Sequence, residues 1–445
     1  MKFLYFYYHN KFKLTMKSLL AVALLSPTTL ACNTKQQLDF DSATPFNSHN
    51  GLGSIVENVN QFQATAPLTL LPQNSGNMSP ACLDGSPYGF YFVPSTTGSK
   101  EWTISIEGGG WCYDEQECYS RSQMNLGSSK AWGKEAGCAC MNANKDGPVT
   151  DCNCLYMPYG DGASFSGYRP DPWPVPGMPG KNLTFRGIVN LDATLEWAFA
   201  HGLSEATEFV LTGGSAGGLS TFLHMDRVAA QIRQRSSTIQ KIVGAPVVGY
   251  FLDHDNFAHS NGLPNTPSWN KENYTGWMKY IYQMQNLTFG NDGGLTAACE
   301  QEHPTEPWLC FMSPHMNDVI DTPFFVFNGK YDHWQLQNEF QSVWTTKKEQ
   351  EGVLQYGRDF LIDFQPVQKK KKNGAFITSC ICHGCPWNDP TALAFGSENI
   401  NPWEAYGRWY TGVDKGEDAV HIDPRLPNGG GNITSSKCFA FREKN

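Results

Sequence analysis

The sequence is poor in charge. Of its 445 residues only 17% are charged, and the formal net charge is −9. No basic stripe is available to neutralise phosphates, which argues against nucleic acid as a partner. The one basic run, Lys369 to Lys372, sits beside Asn373 and Gly374 and reads as a solvated loop. Long apolar runs are also missing: no stretch reaches the ~20 residues that a membrane-spanning helix needs, so stable membrane insertion is not expected. There is no internal repeat, which excludes a repeat architecture.

What the chain does contain points outward from the cell. Lys17 precedes the apolar stretch Leu19 to Leu25, and Thr29-Leu30-Ala31 supplies small residues at the cleavage spacing. Residues 1–31 therefore read as a secretory signal peptide, with Met16 competing with Met1 as the start because Phe3 to Tyr8 is mostly aromatic. Fourteen cysteines fit an oxidising compartment, and five Asn-x-Ser/Thr sequons (Asn77, Asn182, Asn273, Asn286 and Asn432) agree with it. A secreted glycoprotein is expected.

Residues 32–80 are rich in Asn, Gln, Ser and Thr and read as a loose lead-in. The first clear strand is Trp102 to Ile106, running into Gly108-Gly109-Gly110. Residues 112–154 hold six cysteines and little periodicity, as in a cross-linked, loop-rich insertion. Beyond a Pro-rich turn at Pro170 to Pro179, helices and strands alternate. Helices are expected over Asn190 to Ala200, Ala216 to Arg233, Tyr274 to Gln285 and Glu398 to Tyr410. Strands are expected over Glu208 to Leu211, Lys241 to Val248 and Pro323 to Phe327. That alternation implies an α/β fold whose mostly parallel central sheet is flanked by helices. No polar linker divides the rest, so 81–445 reads as a single domain.

Gly213-Gly214-Ser215-Ala216-Gly217 lies between a strand and a helix, the setting of a nucleophile elbow. An ordinary Gly-rich turn is the alternative, but the flanks favour a reactive serine. Upstream, Gly108, Gly109 and Gly110 follow a strand, and their amides, with that of Ala216, are candidates to stabilise an oxyanion. A serine hydroxyl needs a base, and the hydrolase chain order runs Ser, acid, His. Asp332 follows a buried strand and is preferred over Asp318, Asp321 and Asp363. His383, in the cysteine-rich Ser379-Cys380-Ile381-Cys382-His383-Gly384-Cys385, is preferred over His421. The same cysteines, and the pairs Cys138-x-Cys140 and Cys152-x-Cys154, have thiolate-metal spacing, but disulfides are the expected fate of secreted thiols. No metal or organic cofactor is expected. Trp111, Tyr159 and Phe165 are candidates to line the substrate pocket, with core packing as the competing role.

Taken together, these residues resemble the pectin acetylesterase family, which also includes the Notum carboxylesterases. The resemblance spans roughly Ala81 to Cys438. It rests on Glu107-Gly108-Gly109-Gly110-Trp111-Cys112, Gly160-Asp161-Gly162-Ala163-Ser164-Phe165-Ser166-Gly167, Gly214-Ser215-Ala216-Gly217-Gly218-Leu219, Tyr331-Asp332 with Trp334-Gln335, and Ser379-Cys380 with His383. It implies an α/β-hydrolase-like fold with disulfide-rich insertions and a triad of Ser215, Asp332 and His383. The Asp161 to Phe165 segment looks more like the plant-type members, which implies an acetylated polysaccharide such as pectin as substrate. Plant-type members usually carry cysteine at the positions of Gly160, Gly214 and Gly384, and Cys382 is unusual. Two rival functions remain: a Notum-like removal of a fatty acyl group from protein, and a catalytically inactive carbohydrate-binding protein.

Overall fold

In the computed structural model the alternating apolar segments assemble on one ten-stranded sheet. The structure describes residues 64–427 apart from 74–77, 261–272, 292, 343, 345, 386, 388–392 and 397–398. The signal-peptide expectation and the sequons at Asn77 and Asn432 lie outside the described residues.

The strands are β1 (Thr65–Leu70), β2 (Gly89–Val93), β3 (Glu101–Ile106), β4 (Glu135–Gly137), β5 (Asn153–Met157), β6 (Glu208–Gly214), β7 (Lys241–Val247), β8 (Phe325–Tyr331), β9 (Gly374–Ile381) and β10 (Val420–Ile422). They lie in the order β10-β9-β8-β7-β6-β3-β5-β2-β1-β4. From β10 to β5 every neighbouring pair is parallel, whereas β2, β1 and β4 add on antiparallel. The helices used below are α1 (Glu115–Arg121), α2 (Gly187–Ala200), α3 (Ala216–Arg235), α4 (Tyr274–Gln285), α5 (His333–Asn338), α6 (Lys347–Asp363) and α7 (Pro402–Tyr410).

Strand alternation sorts the core onto two faces. Phe209 and Leu211 of β6, with Val326 of β8, join the larger cluster that includes Leu219 and Phe222 of α3 and Phe360 of α6. Val210, Phe325 and Phe327 face the opposite side, where Tyr406 and Trp409 of α7 cover them. Burial on both faces is why these strands read as continuous apolar runs.

Most expected elements stand within a few residues of their expected bounds, but several features differ, among them the strands β2, β9 and β10, which were not expected. Part of the lead-in is ordered, since Thr65–Leu70 forms β1. The cysteine-rich insertion contributes β4 and β5 to the sheet. The long helix α6 was not expected, although Thr346 and Glu349 form a reciprocal capping box at its start.

Candidate active site

Parallel strands end at a common edge, so side chains placed just past β6, β8 and β9 meet there. Ser215 follows β6 and starts α3 with φ 57° and ψ −124°, a conformation costly for a residue with a side chain. The surrounding backbone imposes it. A Cβ on Gly217 would lie 2.2 Å from the Ile106 carbonyl oxygen. Helix and strand are therefore pressed together at this turn, and the serine side chain is turned outward.

Asp332 directly follows β8 and caps α5. Its Oδ1 accepts the Gln335 backbone N–H at 2.9 Å, and its Oδ2 lies 2.8 Å from His383 Nδ1. His383 Nε2 in turn is 2.8 Å from Ser215 Oγ. A buried carboxylate can only accept, so Nδ1 carries the ring proton and Nε2 is left to receive the serine proton. Asp332 is fully buried, while Ser215 and His383 are each 7% exposed. The histidine loop is closed by the Cys382–Cys385 disulfide. The aromatic rings of Phe251 and Trp334 flank the imidazole at 6.1 and 6.3 Å.

The competing residues are placed elsewhere. His421 sits on the edge strand β10 with Asp414 3.9 Å away. Asp321 is exposed beside Lys372. Asp363 ends α6, where its backbone carbonyl accepts the Tyr250 hydroxyl. The cysteines that had metal-like spacing are disulfide-bonded: Cys138–Cys154, Cys140–Cys152 and Cys382–Cys385, with Cys380 also bonded.

The glycine loop lies against the serine turn. A Cβ on Gly108 would come within 2.2 Å of the Gly214 carbonyl oxygen and 2.8 Å of Ser215 Cβ, so only glycine allows this approach. Arg121 Nη1 donates to the Gly109 carbonyl at 2.6 Å and fixes the Gly109–Gly110 peptide, turning the Gly110 N–H the opposite way. The amides of Gly109, Gly110 and Ala216 donate to no acceptor among the described residues. Nothing in the sequence singled out Arg121, because its role depends on how α1 packs.

Trp111, Tyr159 and Phe165 depart from expectation. All three have no exposed surface and belong to the core rather than to a pocket wall. Their polar atoms brace the site from beneath. Trp111 Nε1 donates to Ser164 Oγ, which donates to the Ala216 carbonyl, both at 2.8 Å, and Tyr159 Oη accepts the Ser164 N–H at 3.0 Å. Ser164 and Phe165 both have positive φ, at 51° and 60°. Asp161 Oδ2 holds that bend by accepting the N–H groups of Ala163 and Phe165. Burial pushes the Asp161 carboxyl up to about 7, opposed by these amides. His224 of α3 closes the brace. Burial holds its pKa down to about 4, so the ring is neutral, and its Nε2 lies 3.0 Å from the Ser164 carbonyl.

A mostly parallel sheet with a serine on the sharp turn after a central strand defines an α/β-hydrolase-like carboxylic ester hydrolase. Comparison with known proteins agrees. The pectinacetylesterase family model matches residues 59–429. Pectin acetylesterase 4 of Arabidopsis thaliana is 30% identical over 356 residues, covering 74% of this chain and 80% of its own. Pectin acetylesterase 11 of the same plant is 29% identical over 340 residues, 71% of this chain and 79% of that one. Among solved structures, the Wnt deacylase Notum from Drosophila superposes with a TM-score of 0.65 at 23% identity, covering 79% of this chain and 94% of its own. The chain belongs to the pectinacetylesterase family.

Proposed function

We propose that this esterase is secreted and removes acetyl groups from a polysaccharide such as pectin through an acyl-serine intermediate. The observation that carries the reading is the continuous chain Ser215–His383–Asp332, with both contacts at 2.8 Å. His383 takes the Ser215 proton as Oγ attacks the ester carbonyl. Asp332 holds the tautomer and stabilises the imidazolium. The amides of Gly109, Gly110 and Ala216 receive the developing oxyanion. His383 then protonates the departing sugar oxygen, water adds to the acyl-serine with His383 as base, and acetate leaves.

The aromatic packing beneath the triad supports a short acyl group, because it fills the core behind the imidazole and leaves no room there for a long chain. Trp111, Phe251 and Trp334 pack edge-on at centroid distances of 4.9, 5.4 and 5.5 Å, and Tyr274 and Phe311 close behind Trp111. Five disulfides among the described residues support an oxidising destination.

The test measures acetate release from acetylated pectins and xylans, and compares acetyl with octanoyl p-nitrophenyl esters, with Ser215→Ala as control. Expected are acetate release from polymer, a preference for the acetyl ester, and a loss of at least about 10⁴-fold in the control. A marked preference for octanoyl would replace this substrate with a fatty acyl one, and full activity in the control would remove the serine from the mechanism.

A further inference from the structure

Behind Asp332 lies a second buried carboxyl, Glu339, the C-cap residue of α5, at 1% exposure. Between them stands Gln335, whose side-chain amide has only one possible orientation. Its Oε1 accepts the Leu252 backbone N–H at 3.0 Å, and its Nε2 donates to the Tyr250 carbonyl at 3.0 Å. Turning the amide over would break both bonds.

Counting protons then leaves a conflict. Tyr356 Oη of α6 lies 2.9 Å from Gln335 Oε1 and 3.0 Å from Glu339 Oε1. A phenol has one proton to give. If Glu339 were a carboxylate, two acceptors would compete for it, and one buried oxygen pair would face each other with no hydrogen between them. A protonated Glu339 resolves this. It donates to Tyr356, Tyr356 donates to Gln335, and every contact carries one proton. The other oxygen, Glu339 Oε2, has no hydrogen-bond partner among the described residues, which a neutral carbonyl tolerates far better than a buried charge.

The surroundings agree. The acidic groups facing Glu339 are Asp332 at the start of α5, Asp253 on the segment after β7, and Asp363 at the end of α6. The nearby phenols, Tyr274 of α4 and Tyr356, are held in their neutral form by burial. The imidazoles beside Tyr356 and Asp253 are engaged elsewhere: His254, 5.0 Å from the Tyr356 ring, has Nε2 3.2 Å from Asp359, and His315 Nε2 is 3.4 Å from Asp253. Burial raises the Glu339 carboxyl well above the usual carboxylate range, and the three acids add to it.

We propose that Glu339 is a positioning residue that works as a neutral acid, ending a one-way hydrogen-bond chain from Glu339 to Tyr356 to Gln335 that fixes the seat of Asp332. Gln335 gives its backbone N–H to Asp332, and through Leu252 it also anchors the strap carrying Phe251 beside His383. An uncharged Glu339 spares the imidazole a second anion that would retain its proton. The proposal rests on Asp332 being the acid of the relay, but its pH and infrared signatures do not.

The sign of the pH effect follows from linkage. Unfolded glutamate loses its proton near about 4.3, whereas the folded chain keeps it to much higher pH, so stability from this group is full below that value and falls as pH rises. Glu339→Gln keeps a donor for Tyr356 and cannot ionise. Melting of wild type and Glu339→Gln from about pH 4.5 to 8.5 should show the variant gaining a Tm advantage that widens by several degrees as pH rises. The wild-type minus Glu339→Gln infrared difference near neutral pH should show the carbonyl stretch of a protonated carboxyl. With p-nitrophenyl acetate, Glu339→Gln should stay within about threefold of wild-type kcat, while Tyr356→Phe should lose about tenfold in kcat with KM little changed. A Tm gap that is flat or closes with pH, carboxylate bands in the difference spectrum, or loss of kcat in Glu339→Gln would each overturn the proposal. Failure of the serine mechanism would appear separately, as activity surviving Ser215→Ala.

Discussion

The two sides of the sheet are held by different means. On the parallel side, β6, β8 and β9 are buried on both faces and deliver Ser215, Asp332 and His383 to one edge. There the Cys382–Cys385 cross-link spans only the histidine loop, and Cys380 near the end of β9 is disulfide-bonded as well. On the antiparallel flank, β4 has three residues, none of them buried, and the nested bridges Cys138–Cys154 and Cys140–Cys152 tie the insertion to β5. Packing on both faces positions the strands that end at the candidate site, and cross-links hold the segments whose core is too thin. A disulfide at the site should therefore govern geometry, and a disulfide on the flank should govern stability.

Breaking each bridge separates these roles. Replacing Cys382 and Cys385 by serine should lower kcat on p-nitrophenyl acetate by about 10- to 100-fold, since small misplacement of the imidazole is enough. Replacing Cys140 and Cys152 should leave kcat nearly intact but cost about 2–3 kcal/mol of stability, read as a lower Tm. Equal effects of the two pairs on kcat would erase the distinction.

A smaller effect comes from adding a bridge. Cys82 is buried and free, its thiol pushed up to about 12 by burial, and a Cβ on Gly160 would stand 3.0 Å from its sulfur. Gly160→Cys should form a disulfide there and raise Tm by a few degrees, for a gain of up to about 2 kcal/mol once Trp132 has shifted slightly. Alkylation of the peptide containing Cys82 checks the bond directly; a thiol that stays reactive in the variant would show the two positions are not so placed.

The sequence reading reached as far as local signals allow. Strand–turn–helix flanks pointed to Ser215, and the hydrolase order, a preceding buried strand and a cysteine-rich loop pointed to Asp332 and His383, which the structure brings together with contacts of 2.8 Å. Tyr274–Gln285 was legible to the residue because its helical period is strong and an Asn caps its start. The supports were not legible, because they depend on distant segments meeting. Arg121 reaches Gly109 only through the packing of α1, and Gln335 acts through the strap at Tyr250 and Leu252. Trp111, Tyr159 and Phe165 show the converse. Their nearness to the motifs was readable, but whether an aromatic faces a pocket or the core depends on which layer lies over it.

The central claim is that Ser215 becomes acylated during turnover. Mass spectrometry of enzyme quenched during reaction with p-nitrophenyl acetate tests it most directly. The account predicts an acetyl group on the peptide containing Ser215, absent in Ser215→Ala. An acetyl group on a different residue, with turnover undiminished by Ser215→Ala, would contradict it.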